Sequence, residues 1–295
     1  MRYRQVGSSG LTVSVLGLGT RLFGRECDAE TASRVVDAAI DAGITLIDTA
    51  HSYGEGESER VLGQALRGKR ERVVISTKFG SRRQRQPDLA SGSRRAIRIH
   101  VEEALGRLET DYIDLYHLHF PDPATPIEET LRALTDLVAA GKVRYIGSSN
   151  FAAWQIVEAD WAARLGGGER FVAAQREYNI LDRGVETEVL PICDRYGVGL
   201  LAWRALGDGL LTPRDDRSDP RLGALDAFAA ERSISLSALA IGAVLATPGV
   251  AAALTGARSD NHIRDNATAS DWIPTADDLA ALRAVLDGPA GAPAA

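Results

Sequence analysis

The stretch Leu46–Gly63, LIDTAHSYGEGESERVLG, reads as a β-strand that runs through a glycine-rich turn into an α-helix. The apolar pair Leu46-Ile47 leads straight into Asp48, and Tyr53 follows in the turn. A strand greasy enough to be buried should not finish in a carboxylate unless something pairs with it, because an unpaired charge in apolar surroundings is costly. The partner has to come from elsewhere in the chain.

The same strand-then-helix alternation extends in both directions. Short apolar runs recur at 15–19, 45–48, 73–78, 113–119, 145–148, 172–175, 199–203 and 251–255. Amphipathic stretches fall between them at 29–42, 58–67, 93–108, 127–140 and 152–162. In the third of these, Val101, Leu105 and Leu108 repeat at helical spacing, with Glu102, Glu103, Arg107 and Glu109 on the other faces. Ahead of the first run, 3–6 and 11–14 flank a Gly-Ser-Ser-Gly turn and predict a hairpin.

A chain of 295 residues holds two ordinary domains or one large barrel. Strands alternating with helices, and no proline- or serine-rich linker, predict an α/β fold: a (β/α)8 TIM barrel with an N-terminal β-hairpin. It is expected to form one domain over 1–286, followed by a frayed tail, 287–295, DGPAGAPAA. The competing doubly wound sheet wants a GxGxxG turn after an early strand. Gly17-Leu18-Gly19 lacks the third glycine and an acid placed for a ribose.

Composition narrows the function. With 45% hydrophobic and 25% charged residues the chain reads as globular, and its net charge of −6 argues against a general polyanion binder. Cys27 and Cys193 stand far apart without CxxC spacing, as two reduced packing cysteines would. The start, MRYRQVGSSG, has no apolar signal core, and no run approaches membrane-spanning length. A cytoplasmic location is expected, with no nucleic-acid or membrane partner.

In a barrel of this kind the site lies at the C-terminal ends of the strands. Alternation places Asp48 on the face of Leu46, Lys78 on the face of Ser76, and His117 and His119 on one face, with His119 nearer the mouth. Taken singly, each has an ordinary reading: a cap, a solvated lysine, a core histidine, a loop tyrosine. Their convergence on adjacent strand ends makes a site of them. An ammonium beside Tyr53 would favour the phenolate and lower a pKa that is otherwise near 10. Asp48 would hold Lys78 charged, which supplies the missing partner. His119 would orient a carbonyl while Tyr53 protonates it, and a cofactor must bring the hydride.

These residues sit in segments whose order resembles the aldo-keto reductases, NAD(P)H-dependent barrel enzymes. The segments are LGLGT, LIDTAHSYGEGESERVLGQAL, VVISTKFG, RLETDYIDLYHLHFPDP, GKVRYIGSSNF, AAQREYNIL and LTGARSDNHIRDN, running from about Leu16 to Asn266. The resemblance implies a catalytic tetrad of Asp48, Tyr53, Lys78 and His119, with Tyr53 as general acid, and NADPH-dependent reduction of a small-molecule aldehyde or ketone; the oligomeric state is left open, with a monomer among the options. By the same likeness Gly19 and Thr20 adjoin the cofactor, and Ser149, Asn150 and Gln175 hold the nicotinamide carboxamide; Asn150 has the alternative of capping the following helix. WRALGDGLLTPR stands where the family has a tyrosine-led YSPLG-G-LTGK stretch. Trp203 and Leu206 are retained as cofactor contacts, Arg204-Ala205 depart from Ser-Pro, Pro213-Arg214 replace Gly-Lys, and the 215–222 linker looks short for a flap over the pyrophosphate.

After the eighth strand, Gly256-Ala257-Arg258 leads into a helix starting near Ser259-Asp260. Amides at a helix start attract phosphate, and an arginine offers it a two-pronged donor. The resemblance places Arg258 and His262 by the adenosine 2′-phosphate and Asp265 and Asn266 by the adenine, which favours NADPH over NADH. Arg21, just past the first strand, departs from the family's aromatic or small apolar residue. It is read as a substrate-side contact favouring an anionic or polar compound, or else as half of a surface salt bridge.

Three rivals compete. A metal hydrolase would use the His-x-His of HLH, but His51, His100 and His262 are poorly placed to complete about three ligands. A Schiff-base aldolase on Lys78 would leave Tyr53, Gln175 and the Arg258 helix unexplained. A nucleotide-sensing or channel-associated subunit would keep the barrel with little turnover, and a lost tetrad residue or a long extension would mark it.

Overall fold

The computed structural model describes residues 1–81, 89–213 and 220–288. Strands β1 (Tyr3–Gln5) and β2 (Thr12–Ser14) pair antiparallel as the expected hairpin. The next eight strands form a closed, wholly parallel barrel: β3 (Leu16–Gly19), β4 (Leu46–Asp48), β5 (Val74–Phe79), β6 (Ile113–Leu118), β7 (Val143–Ser149), β8 (Phe171–Glu177), β9 (Gly199–Trp203) and β10 (Val250–Gly256). β10 closes onto β3 with Thr255 opposite Leu18 and Gly256 opposite Gly19.

Around the barrel run α1 (Ala29–Asp41), α2 (Glu57–Ala65), α3 (Arg94–Leu108), α4 (Ile127–Ala139), α5 (Ala153–Gly166), α6 (Val189–Tyr196), α7 (Pro220–Glu231), α8 (Leu236–Ala246), α9 (Asp260–Ala269) and α10 (Ala276–Asp287). Several begin where a short polar side chain takes up a free amide. Asp28 accepts from Thr31, Ser93 from Ala96, Ser235 from Ala238 and Ser259 from His262. α8 is buried nearly all round, which explains its uniformly apolar sequence. Among the described residues no single helix is long and apolar enough to cross a membrane.

The barrel strands start and stop within a few residues of the apolar runs. β7 begins two residues earlier and β8 gains two at its end, since backbone pairing continues past the last apolar side chain. β6 stops at Leu118, yet the His119 amide still donates to Phe79 O at 2.7 Å and keeps the ladder's direction. α10 runs to Asp287; the rest of the expected tail beyond Gly288 lies outside the described residues, as do Arg214 and residues 215–219 of the linker.

The strands' two faces have different neighbours. Outward side chains such as Ile47, Ile75 and Ile146 join the layer under the helices. Inward ones, Leu46, Leu115, Ala173, Leu201 and Leu254, fill the lower barrel, where Val6, Leu11 and Val13 of the hairpin connection plug the bottom. Two inward glycines are fixed by this filling. A Cβ on Gly17 would stand 2.5 Å from Leu254 Cδ2, and one on Gly147 would stand 2.5 Å from His117 Nδ1. Above this packed floor the inward positions turn polar, and there the site lies.

Candidate active site

Four adjacent strand ends deliver Gly19, Asp48, Lys78 and His119 to one rim. The register puts Gly19 beside Asp48, Asp48 beside Ser76, and Lys78 beside His117. Asp48 is buried and its acceptors are filled: Oδ2 takes Lys78 Nζ at 2.6 Å, while Oδ1 takes Ser76 Oγ at 2.8 Å and Gln175 Nε2 at 2.7 Å. The strand-end carboxylate thus has the partner its burial demands.

Lys78 Nζ has three protons and three acceptors: Asp48 Oδ2, Thr49 O at 2.8 Å, and the Tyr53 hydroxyl oxygen at 3.5 Å. Burial opposes its charge, but the Asp48 carboxylate and the Tyr53 phenol outweigh that, and the ammonium is held above the ordinary lysine value. An ammonium can only donate, so the Tyr53 oxygen accepts from it and the phenolic proton is left to point into the mouth.

Tyr53 owes its position to the turn after β4. Its amide donates to Ala50 O at 3.0 Å, and left-handed backbone at Gly54, Glu55 and Gly56 folds the chain back so that the ring covers Lys78. The expectation for its acidity is corrected in direction. Burial raises the Tyr53 pKa more than Lys78 lowers it, with Asp48 also raising it and Arg21 lowering it. The sequence reading weighed the neighbouring charge and left out the desolvation of the phenolate.

His119 meets Tyr53 edge to face, with ring centroids 6.3 Å apart, and stacks on Phe120. Burial, Lys78 and the neighbouring imidazoles push its pKa down to about 2, so the ring is neutral at any working pH. Nδ1 is closed off without a hydrogen-bond partner, which leaves Nε2 as the nitrogen on the open side. His117 lies deeper and is fully buried, its pKa pushed to about 4 by burial and then by Lys78. Depth therefore separates the two histidines as strand alternation anticipates.

Across the mouth, Ser149 and Gln175 face each other in register. Asn150 has left-handed backbone, and its amide nitrogen donates to His119 O at 2.9 Å and Ser149 Oγ at 3.1 Å. It does not cap α5, whose cap position is Ala152. Gln175 Oε1, Asn150 Oδ1 and the Ser149 proton take no part in these bonds, so acceptors and a donor remain for a ligand amide. Trp203 ends β9 half-buried, with the Arg204 guanidinium 5.4 Å from its ring centre. Arg204 is held by Glu177 at 2.9 Å and by Asp208, and Leu206 is half-buried in the turn that follows.

Beyond β10, Arg258 and His262 are exposed at the start of α9, and Arg258 pairs with Glu26 at 2.8 Å. Gly19 and Gly256 form an open rung, where a Cβ on either would touch nothing closer than 3.7 Å. Asp265 is exposed; Asn266 is buried and donates to Thr255 Oγ1 and Gly256 O, both at 3.3 Å. Thr20 is pinned by its amide and hydroxyl to Asp48 O, at 2.9 and 3.1 Å. Arg21, next along, is exposed and forms no ion pair among the described residues.

Sequence reasoning missed the supports of this site. His51 Nδ1 donates to Lys78 O at 2.7 Å and ties the Tyr53 turn to β5. Glu59 is fully buried and accepts from Thr77 Oγ1 at 2.6 Å and Arg107 Nε at 2.8 Å, behind Lys78. The available signal was that Glu59 shares a helical face with Leu62 and Leu66. Among the described residues no three His, Cys, Asp or Glu side chains are grouped to hold a metal ion.

Residues 15–287 match the profile of the aldo/keto reductase family. The chain is 36% identical to an uncharacterized oxidoreductase, YrpG, of Bacillus subtilis, over 99% of this chain and 98% of that protein. It is 34% identical to the aldo-keto reductase YhdN of the same organism, over 97% and 94%. A probable voltage-gated potassium channel subunit beta of Oryza sativa subsp. japonica is 35% identical over 93% and 92%.

Proposed function

Because this chain belongs to the aldo/keto reductase family and is an oxidoreductase of that kind, we propose that it reduces an aldehyde or ketone to an alcohol with NADPH, Tyr53 giving the proton. One observation carries the reading: the Asp48–Lys78–Tyr53 chain leaves the Tyr53 oxygen as an acceptor and its proton free toward the mouth.

The residues present fit a nicotinamide nucleotide. Ser149, Asn150 and Gln175 retain the donor and acceptors a carboxamide needs, Trp203 offers a ring face, and the open Gly19–Gly256 rung leaves room at the rim. Arg258 and His262 at the amide end of α9 suit a phosphate, which supports NADPH over NADH. By the family likeness Thr20, Leu206, Asp265 and Asn266 would also adjoin the nucleotide; Thr20 follows the open rung directly, and Asp265 and Asn266 stand on α9. When bound, the reduced nicotinamide supplies a hydride to the carbonyl carbon.

The chain's own residues do the rest. Neutral His119, with its open nitrogen toward the mouth, orients the carbonyl oxygen by donating to it. Tyr53 gives its proton to that oxygen as negative charge develops, and Lys78, kept ammonium by Asp48, stabilises the phenolate left behind. Oxidation of an alcohol would run the same groups in reverse. Tyr53→Phe is expected to abolish turnover and leave NADPH affinity within about twofold, read by fluorescence titration with NADPH and with NADH. Lost binding would place Tyr53 elsewhere than at the proton, and tighter NADH binding would remove the role given to Arg258.

A second reading is favoured by the likeness to a potassium channel subunit beta: a nucleotide-sensing subunit with little turnover. The assembled tetrad supports the enzyme instead. The barrel is proposed as a single domain over 1–286. Its two buried free cysteines suit the cytoplasm.

A further inference from the structure

The geometry points to a carbonyl substrate that carries an anionic group, a carboxylate or a phosphate monoester, held by Arg21. This deepens the reductase reading and rests on Tyr53 being the proton donor.

The arginines around the mouth are not equivalent. Arg204 is neutralised by Glu177 and Asp208, and Arg258, which pairs with Glu26, is already given to the cofactor's phosphate. Arg21 has no such partner among the described residues and keeps its whole charge at the rim. Its backbone is also the best anchored of the three to the reacting groups. It directly follows Thr20, whose amide and hydroxyl both bond to the carbonyl of Asp48, the residue that holds Lys78.

Its placement agrees with this, since among the causes acting on the Tyr53 pKa, after burial, Lys78 and Asp48, the Arg21 charge lowers it. The molecule as a whole repels anions, with a net charge of −6. An arginine without an ion pair among the described residues, one position from the Thr20 that is tied to Asp48, is therefore a local exception to the field around it. A guanidinium presents paired donors that match the oxygens of a carboxylate or phosphate, and at a half-open rim such charge-assisted bonds discriminate a charged substrate from its neutral isostere. Arg25 sits on the same connection over Gly54 and carries the same formal charge, so it serves as a control for mere field effects.

The experiment compares matched pairs with NADPH and the full chain at low salt: 4-carboxybenzaldehyde against methyl 4-formylbenzoate, and glyceraldehyde 3-phosphate against glyceraldehyde. The wild type is expected to favour the anionic member of at least one pair by about tenfold in kcat/KM, and which pair shows it identifies the headgroup. Arg21→Gln is expected to erase that preference, chiefly by raising the KM of the anionic member, so that the ratio between the two members falls toward one. Arg21→Lys should keep part of it, and added salt should weaken it. Equal turnover of both members of both pairs, or an equal loss in Arg25→Gln, overturns the inference while the reductase reading stands. No turnover of any of the four sinks both.

Discussion

Replacing Asp48 with Asn removes one charge from the centre of the site at unchanged shape, and it turns one of the two oxygens that accept from Lys78, Ser76 and Gln175 into a donor. In the native protein the carboxylate and the Lys78 ammonium stand 2.6 Å apart with almost no exposure. Two unit charges at that distance in an effective dielectric of about 20 attract by roughly 6 kcal/mol. The variant keeps Thr49 O and an amide oxygen as acceptors, so part of this is retained; breaking a buried pair from one side typically costs about 3–5 kcal/mol.

The pH dependence gives the sharper test. Lys78 is held above its ordinary 10.5 in the folded protein, so the pair's contribution is complete below that pH and is lost as pH rises through the higher folded-state value. Without Asp48, burial dominates and the folded-state value falls below the unfolded one. The unfolded chain then binds the extra proton, and the variant gains stability as pH rises toward 10.5. Urea unfolding followed by circular dichroism from pH 6 to 10 should show the gap between wild type and Asp48→Asn widest at the acid end and closing toward the alkaline end. A gap under about 1 kcal/mol at pH 7, or one that does not change with pH, would refute the account of Asp48 as the counter-charge.

Two further outcomes concern the barrel floor. His117 is fully buried with its pKa pushed down to about 4, so its contribution is present above the ordinary 6.5 and is lost as pH falls from 6.5 toward 4, on the order of 3 kcal/mol. His117→Gln should flatten the fall in urea midpoint across that window, and an unchanged slope would assign the acid sensitivity elsewhere. Gly147→Ala puts a methyl 2.5 Å from His117 Nδ1 and 2.9 Å from Ala173 O. Overpacking of this kind costs about 1–3 kcal/mol, and a midpoint equal to the wild type would mean the ring yields freely.

The sequence by itself determined the barrel, the hairpin under it and the four residues of the central constellation. Strand alternation is a local rule: once Leu46 faces inward, Asp48 must too, and the same holds for Ser76 with Lys78 and for His117 with His119. Charge logic then paired Asp48 with Lys78 across 30 residues, since a buried carboxylate has few other options. Only the tertiary structure could decide quantities that depend on everything packed around a group. The acidity of Tyr53 follows from how far the folded mouth dries the phenolate, and desolvation there exceeds the effect of one ammonium. Glu59 and His51 became supports because α2 and the β4 turn close against β5; the helical face Glu59 shares with Leu62 and Leu66 marks it as buried but does not say which groups it meets. Arg21 and Arg258 look alike in the sequence, each just past a strand. Whether a neighbouring segment brings a carboxylate to cancel the charge is a matter of loop geometry; Glu26 does so for Arg258, and none does so for Arg21 among the described residues.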